Sequence, residues 1–198
     1  MPAHQSSQPT KMMGGWKVRK ILDTTMKEAI AELAKASVRS LKSIFAAPPA
    51  GKSWEEIEAG MAQGKSLKDI CGISGERMDG AYGEAKRKLE RKDYEGARET
   101  FSSLCLYDQQ MPKYWGGLAK CCEGLKYYEE AAGCYKMMAL VMGGTDPLPY
   151  IGMAYCHIVL NDKKSALEAL ETGREAADPD SDRSALELMD ELIGICQR

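Results

Sequence analysis

Asp93-Tyr94-Glu95-Gly96-Ala97-Arg98-Glu99-Thr100-Phe101 returns twice in altered letters, as Tyr128-Glu129-Glu130-Ala131 leading to Tyr135, and as Ala166 leading to Leu170. Each stretch sets an alanine four residues before an aromatic or a leucine. The alanines are spaced 131 − 97 = 34 and 166 − 131 = 35 residues apart. Ala85, Ala119 and Ala154 keep step, each 12 residues before its marked alanine. Small residues at both places let two antiparallel helices cross closely. The chain therefore carries three copies of a helix–turn–helix unit, and their shared register excludes a chance match.

That period is the one of the tetratricopeptide repeat, and Trp115, Leu118 and Ala119 precede Tyr128 and Ala131 in its order. The expected fold is all-α: three tetratricopeptide repeats in a short right-handed solenoid, with amino-terminal helices before them and a capping helix after. The repeats are expected at about 75–110, 111–145 and 146–179, with the cap over 184–196 inside a domain spanning 53–198. Pro112 and Pro147 stand where helices start and a missing N–H is harmless. Asp178-Pro179-Asp180 breaks the chain before Leu186, Met189, Leu192 and Ile193, which line one side of the cap. A terminal helix of this kind covers the open face of the last repeat.

Ahead of the repeats, residues 1–15 are rich in Gln, Ser, Pro and Gly and read as a disordered tail. Residues 16–52 hold an amphipathic helix and a Pro-rich linker. Val18, Leu22, Met26, Ile30, Ala34, Val38, Leu41 and Phe45 fall at steps of three and four, and Pro48-Pro49 ends the pattern. This stripe is a packing face; its own repeats, a second copy and another partner all remain open as its cover. Its separation by two prolines favours association over a place in the repeat core. Ser53 with Glu56 marks a capping box, and Ser66 with Asp69 starts a short turn.

The 198 residues carry a formal net charge of −2, which gives no reason to expect nucleic acid. The charge is uneven: residues 16–45 hold seven Lys/Arg against three acids, and residues 166–198 hold nine acids against three Arg. The seven cysteines have no framework spacing, and five of them lie in repeat helices, which argues for a reducing compartment. Residues 1–13 contain no apolar core of signal-peptide length, and the run Met137–Met142 is too short to span a bilayer. The expectation is a cytoplasmic chain.

Catalytic chemistry is missing from the pattern. His157 follows Cys156, but neighbours on a helix point apart and cannot form a Cys–His nucleophile pair. No Cys-x-x-Cys is present, and Gly51-Lys52-Ser53 lacks the upstream glycine of a phosphate loop. The expectation is a non-enzyme with no cofactor and no metal.

More specific residues run through the body of the chain. They are Lys65-Ser66-Leu67-Lys68-Asp69-Ile70-Cys71-Gly72-Ile73-Ser74, then Tyr82, Ala85 and Leu104-Cys105-Leu106-Tyr107-Asp108. With Tyr114-Trp115-Gly116-Gly117-Leu118, they resemble the translocator-class (class II) chaperones of bacterial type III secretion. The resemblance covers roughly 54–177. It implies a cytoplasmic chaperone that lays an extended segment of a hydrophobic translocator along its concave face. It also implies a homodimer through amino-terminal helices and, for some relatives, a gatekeeper protein as a second partner. No membrane insertion is implied. The alternative reading is a tetratricopeptide scaffold or co-chaperone; a clamp for acidic carboxyl termini needs asparagine on inner helices, and the one asparagine, Asn161, sits in a turn.

The first helix of each pair should line the groove. Tyr82, Lys86 and Leu89 are expected to face it in the first repeat, and Lys113, Lys120 and Glu123 in the second, with Gly116 leaving room for a backbone. Leu148, Ile151, Tyr155 and Ile158 are expected in the third. Tyr94, Phe101, Tyr128 and Tyr135 are assigned to packing. Glu84 and Lys88 stand at first-repeat sites that are more often apolar, which predicts looser packing there or a polar client.

Overall fold

The computed structural model describes residues 34–198 together with residues 28, 31 and 32. The tail expected over 1–15 and the amino-terminal part of the leading helix lie outside the described residues. Those described are helical throughout, with no strand among them. They group into two compact units, one ending at Cys71 and the other spanning Gly72–Arg198.

In the first unit, helix α1 covers residues 34–44, and its Ala34, Val38 and Leu41 are buried. These are the carboxyl-terminal members of the apolar stripe. Helix α2 (Trp54–Ala62) begins at the expected capping box. The Ser53 hydroxyl accepts the Glu56 N–H at 3.1 Å, and the Glu56 carboxylate accepts the Ser53 N–H at 2.7 Å. Lys42 of α1 lies 5.5 Å from the Trp54 ring centroid, a cation–π contact. Helix α3 (Leu67–Ile70) is capped by Ser66. The sequence puts a division at Pro48-Pro49, whereas the packing groups α1, α2 and α3 together and divides the chain at Cys71.

The second unit holds the repeats. Helix α4 (Gly75–Glu90) pairs with α5 (Tyr94–Tyr107), α6 (Pro112–Gly124) with α7 (Tyr128–Val141), and α8 (Leu148–Val159) with α9 (Lys163–Ala176). Helix α10 (Arg183–Cys196) follows, placing Met189 and Cys196 in the core of the third pair. Ala85, Ala97, Ala119, Ala131, Ala154 and Ala166 are all 0% exposed, so the crossing points are where the repeat spacing puts them.

Successive pairs are joined by an aromatic ring set on a glycine. The Phe101 ring of α5 lies on Gly117 of α6, and the Tyr135 ring of α7 lies on Gly152 of α8. A Cβ at Gly152 would come 2.7 Å from three ring atoms of Tyr135. The rings are spaced by 34 residues and the glycines by 35, so one joint is used twice.

The turn inside each pair is also repeated. Lys92, Lys126 and Asn161 take left-handed φ values of 62°, 64° and 60°. The residue after each donates its N–H five residues back, from Asp93 to Lys88 O (3.0 Å), Tyr127 to Cys122 O (2.8 Å) and Asp162 to His157 O (2.8 Å). This is the Schellman closure, which satisfies carbonyls at the helix end. Asp93 and Asp162 then cap the next helix by accepting the N–H of Gly96 and Ser165. Tyr127, at the same position in the second pair, has no side-chain cap bond.

Two expectations follow. Gly152→Ala gains about 1 kcal/mol of helix propensity but drives a methyl into Tyr135, for a net loss of roughly 1–2 kcal/mol. Gly133→Ala, where no atom lies within 4 Å of the new Cβ, should stabilise by up to about 1 kcal/mol; opposite shifts in chemical melts check the joint. Separately, Lys126→Gly should raise stability by roughly 1 kcal/mol, because only glycine takes the left-handed region freely. A lower melting midpoint for that variant would contradict the turn geometry.

Candidate peptide-binding face

The alanine at each crossing point provides a reference direction on the first helices. At about 100° per residue, positions three before and four after it stand roughly 40–60° around the helix. Those positions hold Tyr82 and Leu89 on α4, Gly116 and Glu123 on α6, and Ile151 and Ile158 on α8, and all six are partly buried. Positions six before, one after and five after stand about 100–140° around. They hold Asp79, Lys86 and Glu90, then Lys113, Lys120 and Gly124, then Leu148, Tyr155 and Val159. Eight of these nine are exposed and Lys113 is partly so.

The predicted groove residues thus fall into two stripes. Lys86, Lys113, Lys120, Leu148 and Tyr155 lie on the open one. Tyr82, Leu89, Ile151 and Ile158 pack against the repeat cores. The Tyr82 ring meets Phe101 edge-on at 6.0 Å and Tyr114 at 5.8 Å, so it is chiefly a packing ring. A Cβ at Gly116 would stand 3.2 Å from the Met138 sulfur, so the space at Gly116 is used by α7 rather than by a client backbone.

Glu123 is also occupied from within. Its carboxylate accepts the Tyr135 hydroxyl at 2.6 Å and the Lys120 ammonium at 2.9 Å, and its side chain is only 16% exposed. Burial, followed by this carboxylate, pushes the Tyr135 phenol well above its ordinary pKa. The expected open charge at Glu123 is therefore an internal hydrogen-bond acceptor that holds α6 on α7.

One ion pair ties the open stripes of consecutive repeats. Lys113 Nζ lies 3.2 Å from Asp79 Oδ1, its counterpart 34 residues earlier, and 4.7 Å from the Tyr82 ring centroid. The hydrogen bond to Asp79 raises the Lys113 pKa, so the ammonium stays charged. Equivalent side chains of α4 and α6 thus share one face. On α8, Tyr155 rests edge-on against Tyr128 at 6.4 Å and keeps 46% of its surface exposed. Tyr128 and Tyr135 are packing residues, as expected.

The polar first-repeat pair, Glu84 and Lys88, tightens that repeat rather than loosening it. Lys88 Nζ reaches Glu84 Oε1 at 3.1 Å, Thr100 Oγ1 at 3.3 Å and the Gly96 carbonyl at 3.5 Å, joining α4 to α5. A separate cleft of ≈ 870 Å³ opens on the other side of α8, with Met137 and Leu140 of α7, Tyr150, Met153 and His157 of α8, and Ala169 of α9 among its walls. It shares none of the predicted residues.

Burial pushes the Cys105, Cys121 and Cys156 thiols up to about 12, which keeps them protonated. No group of three or more potential metal ligands forms among the described residues. No described helix is long and apolar enough to cross a membrane.

No family model matches the chain. The chaperone protein SicA of Salmonella typhimurium is 28% identical over 130 residues, covering 66% of this chain and 78% of that protein. Among solved structures, PcrH in complex with the chaperone-binding region of PopB is 27% identical, with a TM-score of 0.53 over 59% of this chain and 95% of that one. The Yersinia enterocolitica type III secretion chaperone SycD, in complex with a peptide of the translocator YopD, superposes with a TM-score of 0.58 at 20% identity. It covers 63% of this chain and 95% of that one. The repeats, the turn at 65–74 and these comparisons agree: the chain is similar in sequence and in fold to chaperones of type III secretion such as SycD and PcrH.

Proposed function

We propose that the open stripe of α4, α6 and α8 holds an extended segment of a hydrophobic translocator in the bacterial cytosol and keeps it soluble and competent for secretion. The Asp79–Lys113 pair carries the reading, because it sets equivalent side chains of successive repeats on one face that a peptide can follow. The complexes of PcrH with a region of PopB and of SycD with a YopD peptide support the same use of the fold.

Affinity needs a few well-buried side chains. Each apolar client side chain taken fully out of water contributes about 1.5–3 kcal/mol, against the entropy of ordering an extended segment. Tyr155 is the better aromatic contact on the chaperone. Tyr82 shares its ring with Phe101 and Tyr114, so removing it also weakens the first repeat.

Co-expression with the cognate translocator should move that protein into the soluble fraction, and proteolysis of the complex should leave a short protected segment. Calorimetric titration of this segment should show Tyr155→Ala weakening binding by about 2 kcal/mol, roughly 30-fold, with helix content unchanged. A translocator that stays insoluble and unbound in the presence of the full-length protein would overturn the proposal.

A further inference from the structure

The repeat spacing sets one more pair of positions face to face. Adding 34 to Lys88 and Thr100 gives Cys122 and Cys134, and adding 35 to those gives His157 and Ala169. Lys88 Nζ and Thr100 Oγ1 meet at 3.3 Å across α4 and α5. His157 and Ala169 wall the same cleft across α8 and α9. In the middle repeat the two places hold thiols. Cys122 is 2% exposed, and Cys134 packs against the same core from a partly buried position. One residue further on, the Tyr135 hydroxyl and the Glu123 carboxylate meet at 2.6 Å between the same two helices. The Cys134 thiol donates a hydrogen bond to the Cys122 sulfur.

We propose that Cys122 and Cys134 form a redox-reactive pair, which a peroxide converts into a disulfide that clamps α6 to α7 in the middle repeat. The inference stands apart from the proposed chaperone function. Such a reaction needs a thiolate. The Cys134 hydrogen bond, helped by the Arg98 guanidinium, holds the Cys122 thiol below its ordinary pKa against burial and the Glu130 carboxylate. Cys134 is pushed up by the same hydrogen bond and by burial, so it stays protonated until Cys122 has reacted. Burial pushes Cys105, Cys121 and Cys156 up as well, which sets Cys122 apart from them. Cys122 Sγ lies 4.0 Å from Glu130 Oε2, which lies 3.8 Å from Arg98 Nη1. The Glu130 and Arg98 side chains are 61% and 35% exposed, which sets the Cys122 sulfur one side chain in from solvent.

The chemistry closes on these two residues and one hydrogen peroxide. The Cys122 thiolate attacks a peroxide oxygen, the O–O bond breaks, and the departing hydroxide takes a proton and leaves as water. Cys122 is then a sulfenic acid. The Cys134 sulfur attacks the Cys122 sulfur, the S–O bond breaks, and the second hydroxide leaves as water with the Cys134 proton. The two thiols lose two electrons, and the peroxide is reduced to two waters. The bond closes a short loop, since 134 − 122 = 12, and stabilises the fold by restricting the unfolded chain. A disulfide does not persist in a reducing compartment, so the pair is open at rest there and closes under an oxidant.

The test uses the full-length protein, fully reduced, freed of reductant and exposed to hydrogen peroxide without denaturant. Remaining thiols are alkylated before trypsin cuts after Lys120, Lys126 and Lys136. Those cuts put Cys122 and Cys134 on separate peptides. Mass spectrometry should find the two linked, lighter by two hydrogens than the reduced pair and separated again by a dithiol reductant. Fragmentation between Cys121 and Cys122 should assign the bond to Cys122, and Cys121→Ser should keep it. Cys134→Ser should leave a sulfenic acid on Cys122 that dimedone traps. The oxidised protein should melt about 5–10 °C above the reduced one, and reductant should reverse the shift.

Free Cys122 and Cys134 in peroxide-treated protein would overturn the inference, as would a bridge that forms only once denaturant is added. Sulfinic acid on Cys122 with no bridge would do the same, because Cys134 would then stand out of its reach. A bond that maps to Cys121 would also overturn it. The unmodified protein carries the mass measurement by itself, so the outcome holds even where a serine variant fails to fold.

Discussion

Close approach at glycine holds the repeats in register. Where the Phe101 ring rests on Gly117 and the Tyr135 ring on Gly152, a second helix meets the next first helix with no Cβ between them. The fully buried alanines at the crossings do the same inside each pair. Interiors pack at near-crystalline density, so a single added methyl at such a joint displaces a ring or a helix. Everything on the open face depends on this. The side chains of α4, α6 and α8 line up because each pair is seated on the last in the same way.

Polar groups lock the same arrangement without adding much free energy individually. Left-handed residues close each turn, and two of the three turns add an aspartate cap worth about 1 kcal/mol. Within the first repeat, Lys88 gathers Glu84, Thr100 and the Gly96 carbonyl, so a charged residue at a usually apolar site is satisfied across two helices. Glu123 does likewise between Tyr135 and Lys120. Half-buried carboxylates and ammoniums are costly when alone, and each has found partners.

Function emerges from the surface that these constraints leave over. Once the aromatic rings and half-buried stripes are committed to packing, one stripe of the first helices remains exposed. Its apolar part is confined to α8, and its charges lie on α4 and α6.

The sequence by itself determined the repeat and its phase, because period and the need for small residues at helix crossings are local, additive properties. Ala85, Ala119 and Ala154 could be read directly, as could the capping box at Ser53 and the helix starts at Pro112 and Pro147. The groove was legible only in part. Lys86, Lys113, Lys120, Leu148 and Tyr155 stand on the open stripe, while Tyr82, Leu89, Glu123, Ile151 and Ile158 lie about 70° closer to the crossing alanine and are drawn inward. Measuring each position against that alanine would have separated the stripes and brought in Val159. The partners of Glu123, the use of Gly116 by Met138 and the Lys88 network could not be read this way. They depend on side chains 8 to 22 residues away arriving at the same point, and only the packed tertiary structure decides which polar groups meet there.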